Sequence, residues 1–111
     1  MTHDELMQKH HKILGKARHL GIGEGWFPLI DNLCSYLQFH IDNNKKPQLE
    51  AVQVKEKFGG LRFYVDNADG DQYAVIEFVE ALSLQTCEVC GSEGRPRGRG
   101  WIKTVCDKHA E

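Results

Sequence analysis

Four residues near the end of the chain restrict it most. Cys87 and Cys90 form a Cys-x-x-Cys pair, and after fifteen intervening residues Cys106 and His109 form a Cys-x-x-His pair. Two such pairs let four ligands converge on one tetrahedral ion, because the tight turn within each pair points both side chains at the same place. A Cys-x-x-Cys pair alone also serves redox chemistry, but such pairs open a helix beside a βαβ pattern and need no second pair at ribbon distance. The spacing therefore predicts a structural Zn²⁺ on Cys87, Cys90, Cys106 and His109. With four protein ligands the ion has no open position for water or substrate, so it stabilises rather than catalyses. Gly91 suits the turn after Cys90, where φ is often positive. Residues 107–111 read as the opening turn of a short terminal helix, giving a treble-clef-like knuckle; a plain ribbon is the alternative.

A chain of 111 residues has room for one small core. We expect a helix–hairpin–helix core over 1–86, with a zinc unit over 87–111 integral to the same domain. The formal net charge is −2, so attraction to an anion must rest on where positive charge sits. Residues 1–86 hold nine Lys/Arg against twelve Asp/Glu, and 87–111 hold five against four. Arg95, Arg97, Arg99 and Lys103 fall close together with no acidic residue among them. No apolar run reaches membrane-spanning length, and the N-terminus lacks the basic and apolar regions of a signal peptide. A reducing cytoplasm with no membrane partner is expected, where Cys34 needs no disulfide partner.

Leu6, Met7, Ile13, Leu14, Ala17 and Leu20 recur at helical spacing and predict one amphipathic helix from Thr2 to about Leu20. Thr2 is placed to cap it, with Glu5 three residues on, and Gly21 to end it. Pro28 marks the first turn of a second helix whose stripe is Ile30, Leu33, Cys34, Leu37 and Ile41, widened by Trp26, Leu29 and Tyr36. Asn43 to Pro47 ends it. From Gln53 to Val65 the period changes to alternation, and Gly59-Gly60 predicts a two-residue hairpin turn. In that register Phe58 faces Leu61, Glu56 faces Phe63 and Val54 faces Val65 on a buried face. Lys55, Lys57, Arg62 and Tyr64 share the other face, with Lys57 opposite Arg62. Such a like-charge pair is destabilising unless an anion offsets it, the side chains splay into water, or Glu50 and Asp66 neutralise it. Asp69 or Asp71 then caps a third helix through Tyr73, Val75, Ile76, Phe78, Val79 and Leu82. The whole predicts an α+β fold of order α-α-β-β-α with a C-terminal Cys₃His zinc knuckle or ribbon packed on it.

Catalytic patterns are weak. His109-Ala110-Glu111 spells the His-x-Glu of zinc deaminases, but it follows the Cys-x-x-Cys pair, and no proline precedes Cys87. His3, His10, His11 and His19 have no companion carboxylate motif, and no Walker, Rossmann or Ser/His/Asp pattern appears. Binding chemistry is better represented. Arg95, Arg97 and Arg99 alternate with Pro96, Gly98 and Gly100 and end at Trp101. Guanidinium forks suit phosphate, glycine permits close backbone approach, and an indole can stack on a base. The alternative is a solvated loop with Trp101 folded against the zinc core.

Gly-Trp-Phe-Pro-Leu-Ile at 25–30, the Val54–Tyr64 run containing Lys-Glu-Lys-Phe-Gly-Gly-Leu-Arg-Phe-Tyr, and the segment from Ser83 through the four zinc ligands resemble small uncharacterised proteins of bacteriophages and prophages. The resemblance implies a viral accessory protein of a bacterial host cytoplasm and carries no activity with it. The expected function is a non-enzymatic, zinc-stabilised module that binds an anionic ligand on Lys55, Lys57, Arg62, Tyr64, Arg95, Arg97, Arg99 and Trp101. That ligand is a nucleotide signal sequestered against host defence, or a nucleic acid. The rival is a module that inhibits a host protein through the first helix and Trp26.

Overall fold

A computed structural model describes residues 1–110. Thr2 caps the first helix, α1 (His3–Lys9), its hydroxyl accepting from the Glu5 amide at 3.1 Å while the Glu5 carboxylate accepts from the Thr2 amide at 2.7 Å. The expected single helix to Leu20 is broken. At His10 the backbone turns to φ −114°, ψ 37°, and α2 (His11–Leu14) and a 3₁₀ turn (Gly15–Ala17) follow. The physical reason is His10 itself, whose buried ring is drawn to Asp31 with Nε2 2.7 Å from the carboxylate. Gly21 does not end the helix. It lies in a two-residue strand, β1 (Leu20–Gly21), and the left-handed residue is Arg18 at φ 70°.

The second helix, α3 (Phe27–Asn44), follows the expected stripe, with Ile30, Leu33, Cys34, Leu37 and Ile41 buried. It ends on Lys45 in the left-handed conformation. Strands β2 (Glu50–Lys57) and β3 (Gly60–Asp66) form the hairpin, and β1 joins β2 in parallel, giving the order β1-β2-β3. α4 (Gly70–Ser83) starts from Asp69, whose carboxylate accepts from the Gln72 amide at 2.9 Å. Ile76 and Val79 face the core, but Tyr73 and Phe78 of the expected wide arc lie in solvent. α4 also covers the free edge of β3. The Leu61 amide donates to the Ser83 hydroxyl at 2.9 Å, and the Phe63 amide donates to the Glu80 carboxylate at 2.8 Å. Side chains here satisfy backbone donors that an edge strand otherwise exposes to another chain.

The hairpin register differs from expectation. The turn is Phe58-Gly59, both at positive φ (54° and 82°), and the pairs are Lys57 with Gly60, Glu56 with Leu61, Lys55 with Arg62 and Val54 with Phe63. From Gln53 to Lys57 each β2 residue thus meets a partner two positions earlier than expected, and an irregularity between Ala51 and Gln53 shifts the pairing once more. A shift of two preserves which face a side chain occupies, so Lys55, Lys57, Arg62 and Tyr64 still share one face. Two contacts favour the observed turn, and Gly60 beside it is closely packed. The Gly59 amide donates to Glu56 at 2.8 Å, the Gly59 carbonyl accepts from the Thr104 hydroxyl at 2.6 Å, and a side chain at Gly60 would crowd Leu84 at 3.3 Å. Phe58 consequently leaves the core for solvent.

The zinc unit is a ribbon. β4 (Arg95–Arg97) and β5 (Lys103–Val105) form a hairpin between the two ligand pairs. The described part of the expected terminal helix is a 3₁₀ turn, Asp107–His109, and Glu111 lies outside the described residues. The ribbon grips the core through the glycine loop before α3. The Gly25 amide donates to the Glu88 carbonyl at 2.8 Å, the Gly23 amide to the Glu88 carboxylate at 2.9 Å, and the Trp26 indole to the Thr86 carbonyl at 2.7 Å. A Cβ on Gly25 would stand 2.2 Å from the Cys87 carbonyl oxygen, so only glycine lets the two backbones approach this closely.

Candidate metal centre and ligand surface

Cys87 and Cys90 lie on the tight turn closed by the Gly91 amide donating to the Cys87 carbonyl at 2.8 Å, with Gly91 at φ 85°. Cys106 and His109 are joined by the 3₁₀ turn, whose His109 amide donates to the Cys106 carbonyl at 3.1 Å. All four ligand atoms lie within 4.8 Å of one another. Ideal Zn–S and Zn–N bonds in a tetrahedron require separations of about 3.8 Å between sulfurs and about 3.6 Å between sulfur and nitrogen. The Cys90 and Cys106 sulfurs are 3.8 Å apart, and His109 Nδ1 is 3.7 Å from Cys87 Sγ and 3.3 Å from Cys106 Sγ. The donor set and its spacing fit a structural Zn²⁺.

Cys87 and Cys106 are both shifted toward the thiolate form that such an ion needs. The Ser92 hydroxyl, followed by His109 and Cys87, brings the Cys106 thiol down to about 6. Burial pushes the Cys87 thiol up, but the backbone amides around it, on Cys106, Cys90 and Val89, more than offset this and leave it lowered. The same sulfurs, Cys106 first, raise His109. Cys34, in contrast, is a buried apolar residue of α3 whose thiol burial pushes far up.

The eight candidate ligand-binding residues fall into two groups, one on the β2–β3 hairpin and one on the ribbon. Lys55, Lys57, Arg62 and Tyr64 line the outer face of the β2–β3 hairpin, and Lys55 Nζ stands 5.9 Å from the Tyr64 ring centre. Lys55, not Lys57, opposes Arg62. Asp66 is not the neutralising partner, since it pairs with Lys16 at 3.2 Å. Arg95, Arg97, Arg99 and Trp101 lie on β4 and the β4–β5 loop. Arg97 is tied to Asp107 and holds that carboxyl well below the usual range. Among the described residues, no carboxylate lies within salt-bridge distance of Lys55, Lys57, Arg62, Arg95 or Arg99. Trp101 is 77 % exposed, so it does not fold against the zinc core. The Thr104–Gly59 bond seats the tip of the hairpin on β5 of the ribbon.

Two open clefts flank Trp101. One, of about 190 Å³, is lined by Glu56, Phe58, Gly100, Trp101 and Ile102. The other, of about 340 Å³, reaches toward His109 past Arg97 and Lys103. Phe58 escaped the sequence reading, which placed it in the core; its alternation with Val54 and Glu56 pointed inward, and only the positive φ of the turn sends it out. Trp26, expected as a contact for a protein partner, is wholly buried and cannot serve as one. No described helix is long and apolar enough to cross a membrane. Compared with family models, curated proteins and solved structures, the chain matches none.

Proposed function

We propose that the protein is a zinc-stabilised module that binds single-stranded nucleic acid across the hairpin and the ribbon loop. The observation that carries this reading is the seating of the hairpin tip on β5, which brings exposed Phe58 and Trp101 to one cleft, with exposed Tyr64 and with Lys55, Lys57, Arg62, Arg95 and Arg99 outside any salt bridge among the described residues. Strand binders without base-pair readout use this combination, with aromatic rings for bases and a basic track for phosphates. A sequestered nucleotide calls for an enclosing pocket, whereas the clefts here are open, which favours an extended ligand. The net charge of −2 is compatible because the track is local. In the phage setting that the sequence resembles, such a module acts on viral or host strands in a bacterial cytoplasm.

The test is fluorescence anisotropy of a labelled 12-nucleotide single strand against a duplex of the same length. The single strand binds more tightly, and log affinity falls with log salt with a slope of about −0.7 per phosphate neutralised. A double variant, Arg95→Gln with Arg99→Gln, flattens that slope and weakens binding without lowering the melting temperature. Absence of salt-sensitive binding to either form overturns the reading and leaves a host protein as the partner to seek.

A further inference from the structure

Several features converge on the smaller cleft beside Trp101. Its two aromatic walls come from distant parts of the chain, Phe58 from the β2–β3 turn and Trp101 from the ribbon loop. Both rings stand in water, 66 % and 77 % exposed, although burying either side chain is worth about 1.5–3 kcal/mol or more. Phe58 is also in the wrong place by local preference. Its φ of 54° lies in the left-handed region, where a residue with a bulky side chain is an outlier, and turns of this kind favour Asn before Gly. Strain of that sort persists where surrounding structure enforces it, and here Glu56, Thr104 and the ribbon behind it hold the tip.

The chemistry of the cleft is selective. Its lining contains one charged group, the Glu56 carboxylate, so a phosphate is disfavoured inside. Cations stand outside it: Lys57 Nζ is 5.6 Å from the Phe58 ring centre, and Arg99 adjoins Gly100 in the chain. An aromatic ring with its phosphate left at the rim fits that arrangement. Glu56 Oε2 accepts from the Gly59 amide at 2.8 Å, which fixes the carboxylate and leaves Oε1 to accept from a ligand. Adenine, cytosine and guanine carry an exocyclic amino donor, whereas thymine and uracil carry none.

We propose that the cleft between Phe58 and Trp101 is a stacking site for one unpaired base, and that Glu56 selects a base bearing an amino group. This rests on the strand-binding reading above and adds to it a site and a preference. The experiment titrates the full, zinc-loaded protein with labelled (dC)₁₂ and (dT)₁₂, following anisotropy and tryptophan emission. Trp26 is buried, so a change in emission on binding reports Trp101. The expected result is tighter binding of (dC)₁₂, quenching of Trp101, and a loss of about 5- to 150-fold in affinity for (dC)₁₂ in Trp101→Ala and in Phe58→Asn. Asn suits the turn, so Phe58→Asn keeps or raises the melting temperature and its loss of binding is not a loss of fold. Trp101→Phe restores most of the affinity, and the salt slope stays that of the parent in all three variants. Salt-sensitive binding that neither Trp101→Ala nor Phe58→Asn weakens overturns the stacking site while strand binding stands. Equal affinity for the two strands, with both variants impaired, overturns the Glu56 preference. No binding to either strand overturns this proposal together with the function it rests on.

Discussion

Phe58 shows at a single residue how stability and display can oppose each other. Placing an L-residue at positive φ costs about 1–2 kcal/mol, and Asn or Gly escapes most of that. Phe58→Asn is therefore expected to stabilise the protein by about 1 kcal/mol, read as a higher urea midpoint at unchanged slope. Gly25 lies at the opposite extreme. A Cβ there meets the Cys87 carbonyl at 2.2 Å, backbone against backbone, so Gly25→Ala is expected to cost on the order of 3 kcal/mol or more in a urea titration. Asp31 supplies the pH dependence. Its carboxyl is lowered, first by the hydrogen bond to His10 and further by Lys9, despite opposing desolvation. A lowered carboxyl contributes stability that is complete above its unfolded value of about 3.9 and is lost as pH falls through the lower folded one. Asp31→Asn thus flattens the fall of melting temperature below about pH 4, measured by circular dichroism across pH.

At the scale of elements, the hairpin shows what alternation can and cannot specify. The pattern from Gln53 to Val65 tells which side chains share a face, and that assignment stands, because faces depend only on parity. Register depends on which two residues turn, and local chemistry alone favours Gly59-Gly60 over Phe58-Gly59. The choice is made by Thr104 and Glu56, of which the first is distant in sequence. The first helix failed for the same kind of reason. Its periodicity is continuous through His10, and only a partner on α3 bends it. The caps of α1 and α4 and the stripe of α3 were legible because their causes lie within a few residues. β1 left no signal beyond glycine, being two residues long and held by pairing with Val54 and Lys55. The cover that α4 lays on β3 makes its own prediction. Glu80→Ala leaves the Phe63 amide without its acceptor and costs about 1–3 kcal/mol, with faster exchange of that amide by NMR.

For the molecule as a whole, the Cys₃His cluster was fully readable, whereas the cleft at the hairpin tip was not. Ligand spacing is local to two short turns, whereas the meeting of Phe58 with Trp101 requires the tertiary docking of the hairpin on the ribbon. That docking has a consequence for when the protein can work. The Thr104 hydroxyl that holds the tip carbonyl lies 45 residues downstream, on the strand that leads into Cys106. Stripping zinc with a chelator, or replacing Cys90 by Ser, is then expected to shift the Phe58 and Gly59 amide resonances as well as those of the ribbon. The shape of a hairpin tip that contains no metal ligand would then follow the zinc occupancy of a ribbon it merely rests on.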